Sequence, residues 1–405
     1  MAESLSFCMV TTFYPPHHFG GDAMHAYRLT NALARRGHNV TVVHSEDAYR
    51  TLGGRERAAP FPHEPGVTLR PLRTAFPAAA ATTTYMTGRP AFYASRLDAV
   101  FHERSFDVVH FHNVSLAGGP GVLHHGTGVK LYTTSEHWLV CPMHVLFRYA
   151  REPCVEPHCL RCTLAFRRPP QLWRYTGLLE RAVAEVDLFL APSRFTVEAH
   201  RARGFSRPMR HLPHFLPAQD VSTNGGSAPQ RPYVLFVGRL ERIKGAHVLV
   251  DAFQGYREVD LLIAGDGEER GELERNAAGL EHVRFLGHLP QAELDALYRN
   301  ATAVVVPSVG YEVFGLVVLE AFARRTPVVV HDLGALPELV EDSGGGLVYR
   351  TPAELVQAIE RLRTDTVLRD ELGAKGHDAW QRLWTEEQHL TAYFEAIEEA
   401  RGTGH

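Results

Sequence analysis

The feature that most narrows the fold is an alternation running the length of the chain: short apolar, β-branched runs, each followed by a segment of helical period. In the first half these runs are LSFCMVTT, NVTVVH, DVVHFH, KLYTT and LFLAPS; in the second they are PYVLFVG, DLLIAG, HVRFLG, AVVVPS and PVVVHD. Strands apolar on both faces, with a helix between each pair, assemble as parallel sheets covered by crossover helices. The first such helix is predicted from Asp22 as its N-cap, through Ala26, Leu29 and Leu33 on one face, to Gly37 as its stop. The expected fold class is α/β.

At 405 residues the chain exceeds the size at which one core keeps growing, so two domains of about 200 residues each are expected. Residues 217–232, PAQDVSTNGGSAPQRP, break every periodicity and read as a linker. The expected organisation is therefore an N-terminal Rossmann-like domain over 1–216, that linker, and a second Rossmann-like domain over 233–375. The segment 376–405 carries Trp380, Leu383, Trp384, Leu390, Tyr393, Phe394 and Ile397, apolar surface that must be covered, and is expected to pack back on the N-terminal domain.

A net charge of −4 offers no broad positive field for nucleic acid. The first residues read as a strand and not as a secretory leader, and no run approaches the roughly 18 apolar residues of a membrane span. A cytoplasmic location is expected, where cysteines serve as thiols or ligands more often than as disulfides.

In open parallel sheets, ligands bind beyond the carboxyl ends of the strands, where helix starts present amides and partial positive charge. Three junctions fit. In FYPPHHFGGDAMHAY, Gly20 and Gly21 would let a phosphate approach the backbone, although a tight turn needs glycine too. In VGRLERIKGAHVLVDAF, Arg239 and Lys244 follow a buried-type strand; two fixed cations can neutralise a leaving diphosphate, or simply be solvated loop charges. The chain has only three lysines, Lys130, Lys244 and Lys375, which makes this one conspicuous. In VVVPSVGYEVFGLVVLEAFARRTPVVV, Glu312 precedes a helix opening near Gly315 and Glu320 lies within it, roughly 7–8 Å further along the axis at about 1.5 Å per residue. Two such carboxylates can hold opposite ends of an elongated ligand.

Cys141, Cys154, Cys159 and Cys162 fall in the pattern C-x12-C-x4-C-x2-C, compatible with a structural zinc site and equally with free thiols or a disulfide. His144 and His158 are spare ligands in that region. Residues 147–182 carry seven arginines against three acids among several aromatics, a solvated face or a surface for an acceptor or an anionic membrane.

Taken in order, HFGGDAMH, DVVHFHN, EHWLVCP, VGRLERIKG, LLIAGDGEE, FLGHLP and EVFGLVVLE followed by RTPVVVHDLGALPELV resemble the GT-B-fold retaining glycosyltransferases of family 4 over nearly the whole chain. That resemblance implies two Rossmann-like domains facing across a cleft and transfer of a sugar from a UDP- or GDP-sugar to an acceptor hydroxyl, with retention and without a catalytic metal. It implies that Gly20, Gly21, Arg239 and Lys244 meet the donor diphosphate. Glu312 would hold the donor sugar, beside the amides of Val313, Phe314, Gly315, Leu316 and Val317, and Glu320 the ribose. A nucleotide-sugar epimerase of the same fold, or a binding protein with weakened catalysis, are the alternatives.

One departure stands out. Similar sequences read His-Asp or His-Glu before the tryptophan, whereas this chain reads Ser135-Glu136-His137-Trp138. Ser135 occupies the catalytic-pocket histidine's position, and a serine hydroxyl cannot act as a base at neutral pH. Either His137 compensates, or activity is reduced, or the histidine is dispensable.

Overall fold

The computed structural model describes residues 4–54, 61–220 and 231–403. Most of the expected linker, 221–230, lies outside them. The chain divides into two compact units, one comprising Met1–His144, His158–Leu212 and Leu390 onward, the other Val145–Pro157 and Pro213–His389.

The first unit is built on seven strands, β1 (Ser6–Thr11), β2 (Asn39–Ser45), β3 (Val67–Leu72), β4 (Val108–Phe111), β5 (Val129–Thr133), β8 (Leu188–Ala191) and β9 (Met209–His211). They pair in parallel in the order β3-β2-β1-β4-β5-β8-β9. The five apolar runs read from the sequence are β1, β2, β4, β5 and β8, while β3 and β9 are not among them, and a core including Val10, Phe111, Tyr132 and Phe189 packs on the sheet. The helix Gly21–Arg35 starts earlier than expected: Gly20 is its N-cap and Asp22 lies in its first turn, so the acid complements the positive helix end without capping it. Gly37 adopts φ +86° beyond the last turn, the stop that the sequence implies.

The second unit carries β10 (Tyr233–Val237), β11 (Asp260–Ala264), β12 (Val283–Gly287), β13 (Ala303–Val306), β14 (Val328–His331) and β15 (Gly346–Tyr349), all parallel, in the order β12-β11-β10-β13-β14-β15. Its two faces are covered separately, by clusters around Leu249, Phe253 and Ile263 and around Leu319, Phe322 and Trp384. A hairpin of β6 (Phe147–Arg148) and β7 (Glu152–Pro153), contributed by the first half of the sequence, belongs to this unit.

Both sheets share one consequence of their order. The chain winds outward in one direction from a central strand and then returns to that strand's other side, so the connections leave in opposite directions between β1 and β4 and between β10 and β13. Crevices open at such reversals, beyond the strands' carboxyl ends.

The last helix, Glu386–Thr403, divides between the units at Leu390. Within the first unit its Tyr393 hydroxyl meets His110 Nδ1 at 2.9 Å, and His110 Nε2 meets Thr133 Oγ1 at 2.8 Å. The apolar surface at the chain end is thus partly buried on β1 and β4.

In the second unit, the helices Gln291–Asn300 and Leu316–Ala323 are braced by an ion pair inside the protein. Arg324 Nε donates to Asp295 Oδ1 at 2.8 Å, the two side chains being 1% and 0% exposed, and Gln291 donates to the same carboxylate at 2.9 Å. Removing one member leaves a buried, uncompensated charge. Asp295→Ala is predicted to lower unfolding free energy by about 3–5 kcal/mol in urea denaturation, and adding Arg324→Met to restore part of it. A loss below about 0.5 kcal/mol would contradict the assignment.

Candidate active site

Two loops leave the carboxyl ends of β10 and β13, which are neighbours at the reversal. The first, 238–245, closes in the 3-10 turn Arg242–Lys244; the second, 307–315, leads into the helix Leu316–Ala323. They are stitched together by the amides of Val309 and Gly310, which both donate to the Ile243 carbonyl, at 2.9 and 3.3 Å. Gly245 permits this approach: at φ +74° a Cβ there would lie 2.0 Å from the Pro307 carbonyl oxygen.

That stitching sets Lys244 against Glu312. Lys244 Nζ donates to Glu312 Oε1 at 2.7 Å, and Ser308 Oγ donates to the same oxygen at 2.7 Å. Burial on its own would push the Glu312 carboxyl up. The charge and hydrogen bond of Lys244, the Ser308 hydroxyl and the charge of Arg239 outweigh it and hold the group below the usual carboxylate range. The carboxylate is therefore ionised at neutral pH. Its backbone is fixed from the far side, where the Ala335 amide donates to the Glu312 carbonyl at 3.2 Å. Gly334, at φ +66°, passes so close that a Cβ would meet Glu312 N at 3.0 Å.

The helix start is the third component. Gly315, at φ +123°, is the N-cap of Leu316–Ala323, so the first-turn amides of Leu316 and Val317 have no carbonyl of their own helix to bond. Such an end favours an anion. Phe314 is buried and packs edge-on against His214, with ring centroids 5.3 Å apart, which anchors the residue between Glu312 and the helix. Val313 lies in the same turn. One helical turn on, Glu320 accepts from the Tyr298 hydroxyl at 2.7 Å, and Arg324, held by Asp295, donates to the Glu320 carbonyl at 2.8 Å.

The second unit thus gathers Lys244, Glu312, the amides around Gly315, and Glu320 on adjoining segments. Arg239 is half exposed and pairs with Glu241, yet its charge acts on Glu312. Sequence reasoning missed Ser308 and Tyr298, the partners that fix the two carboxylates. The position of Ser308 at a strand end, four residues before Glu312, was the available signal.

In the first unit Gly20 is extended, with φ −179°, and Gly21 opens the helix after β1; Asn113, just after β4, donates to Asp22 at 3.4 Å. Ser135 is buried beyond β5 with its hydroxyl unpaired among the described residues. The His137 ring is fully buried against Phe195 and His200, and burial, with His200 and Arg203 adding to it, drives its pKa well below the usual imidazole value. Both of its ring nitrogens are without a hydrogen-bond partner among the described residues.

The four cysteines whose spacing is compatible with a structural zinc site lie on three separate segments. Cys159 and Cys162 sit on the helix Cys159–Ala165, Cys141 follows Val140 in a turn, and Cys154 follows β7 in the other unit. Among the described residues no three His, Cys, Asp or Glu side chains form a metal-holding group, and none of the five cysteines is in a disulfide. Among the described residues no helix is long and apolar enough to cross a membrane.

Comparison with known proteins agrees with this architecture. Residues 231–365 match the family model "Glycosyl transferases group 1" and residues 19–219 match "Glycosyltransferase Family 4". A glycogen synthase of Mycobacterium tuberculosis is 30% identical over 393 residues, 88% of this chain and 86% of its own. A phosphatidyl-myo-inositol mannosyltransferase of Mycobacterium leprae reaches 41% identity over 157 residues, but these are 37% of this chain and about two fifths (42%) of that protein. Among solved structures, Anabaena HepE, crystallised with UDP and glucose, superimposes with a TM-score of 0.70 at 18% identity, covering 98% of this chain and all of its own. Two matching family models and a relative similar almost end to end leave one assignment: the chain is a glycosyltransferase of family 4 with the GT-B fold.

Proposed function

We propose that the chain transfers a sugar from a nucleoside-diphosphate sugar to an acceptor hydroxyl with retention of anomeric configuration. The observation that carries this reading is the Lys244–Glu312 pair lying beside a helix start at the β10/β13 reversal. Departure of a nucleoside diphosphate concentrates negative charge on the leaving oxygens. Fixed cations and pre-oriented amides stabilise that charge more than they stabilise the bound donor, and this difference lowers the barrier. Lys244, Arg239 and the amides of Gly315, Leu316 and Val317 take this role. In the first unit, the helix start at Gly20 and Gly21 is proposed as a further amide site for phosphate.

Glu312, kept ionised, accepts from hydroxyls of the donor sugar; in doing so it trades its bond from Lys244 for one from substrate and leaves that ammonium to the diphosphate. Glu320, oriented by Tyr298, accepts from the ribose hydroxyls. Retention rests on the family resemblance. The uridine nucleotide bound by HepE makes UDP the first nucleotide to test, with GDP second.

Glu312→Gln is predicted to lower kcat/KM for transfer by at least about 100-fold, a cost near 2.7 kcal/mol, while shifting the thermal midpoint by only a few degrees. Turnover equal to wild type would remove Glu312 from the site. Arg239→Ala is predicted to weaken nucleoside diphosphate binding roughly 10- to 100-fold, as read by calorimetry, since one charged hydrogen bond to phosphate is worth about 1.5–3 kcal/mol. An unchanged Kd would assign the guanidinium to Glu241 alone.

A further inference from the structure

The loop after β5 concentrates polar atoms that the protein itself does not satisfy. Ser135 Oγ, Glu136 Oε1, both ring nitrogens of His137 and Trp138 Nε1 are buried without a hydrogen-bond partner among the described residues. Orphaned buried polar atoms of this kind usually face water or a ligand. The other oxygen of Glu136 is engaged by His144 Nδ1.

His144 reaches this position at a conformational cost. Its φ of +71° lies in the left-handed region that few residues other than glycine adopt, and Leu146 follows at φ +47°. Two backbone bonds hold it there: the His137 amide donates to the His144 carbonyl at 2.9 Å, and the His144 amide donates to the Cys141 carbonyl at 3.0 Å. Strain maintained by surrounding bonds gathers at working sites. Unlike His137, the His144 side chain is 24% exposed, so its ring can meet solvent or substrate.

The remaining charged and titratable neighbours of the pair come from three elements. Asp22 acts on Glu136 from the start of Gly21–Arg35, Arg174 from the turn Leu172–Tyr175, and Tyr132 lies on β5 itself. Arg174 is committed to the carbonyls of Trp138, at 2.8 Å, and Leu139, at 3.3 Å, and lies over the Trp138 ring. It anchors the loop from behind. A carboxylate on Nδ1–H fixes the imidazole tautomer so that Nε2 is the acceptor.

Resting on the transferase reading, we propose that His144 accepts a hydrogen bond from a hydroxyl of a sugar or polyol substrate, with Glu136 as its positioning residue. A loop histidine then does what the serine at position 135 cannot, and Ser135 and the second Glu136 oxygen lie beside the same hydroxyl-bearing group.

The test compares full-length wild type with His144→Phe, His144→Gln, Glu136→Gln, His137→Phe and Glu312→Gln. Nucleoside diphosphate release is followed from UDP-glucose and GDP-mannose, with and without free hexoses and myo-inositol as acceptors. His144→Phe should lose roughly tenfold or more in kcat/KM per folded molecule with unchanged UDP affinity, and His144→Gln, which keeps a polar atom near the Nε2 position, should recover part of it. His137→Phe separates the two histidines: a loss of turnover per folded molecule there, with His144→Phe at wild-type rate, would move the role to His137 and overturn the proposal. A loss confined to transfer assigns the hydroxyl to the acceptor; a loss in release to water as well assigns it to the donor sugar. Wild-type kinetics in His144→Phe alongside a crippled Glu312→Gln would overturn this proposal alone. Full activity in Glu312→Gln would overturn the transferase site and this inference with it.

Discussion

The second unit depends on two loops being held together where the direction of its sheet reverses. Neither Lys244 nor Glu312 is a site alone. They meet because Val309 and Gly310 both bond the Ile243 carbonyl, and because Gly245 and Gly334 lack the atoms that would block the approach. The ion pair then does two things at once. It neutralises a carboxylate that burial would otherwise disfavour, and, on the proposed function, it keeps an ammonium available for a diphosphate. A substrate bearing both hydroxyls and a diphosphate can satisfy both partners, which is how a site can be stable without ligand and still be selective for it.

The same economy extends outward. Glu320 is oriented by Tyr298 and its backbone by Arg324, which is in turn neutralised by Asp295 inside the protein. A buried pair of this kind is a costly way to gain stability, since an apolar replacement is often as good. Here it fixes the helix that carries Glu320 relative to the helix that carries Tyr298.

Much of this was legible in the sequence. The apolar runs became the parallel strands because burial on both faces demands uninterrupted β-branched residues, and Glu312 stood out through its spacing from Glu320. Lys244 stood out because lysine is so rare here. What could not be read depends on approach in three dimensions. Ser308 and Tyr298 are ordinary residues until they meet a carboxylate. Asp22 read as a cap, but the helix begins before it, at a glycine with no side chain to advertise the start. The cysteine spacing was compatible with a metal site, whereas no three His, Cys, Asp or Glu side chains form a metal-holding group among the described residues. His137 drew attention as the histidine nearest Ser135, whereas it is His144 that reaches Glu136, through a left-handed turn that no helix or strand periodicity encodes.

The account stands or falls on where a diphosphate sits. A crystal structure of the chain with UDP or GDP measures this directly. The account predicts phosphate oxygens within hydrogen-bond distance of Lys244 Nζ and of the Leu316 and Val317 amides, with Glu312 released from Lys244. Phosphates bound elsewhere, with the Lys244–Glu312 bond intact, would contradict it.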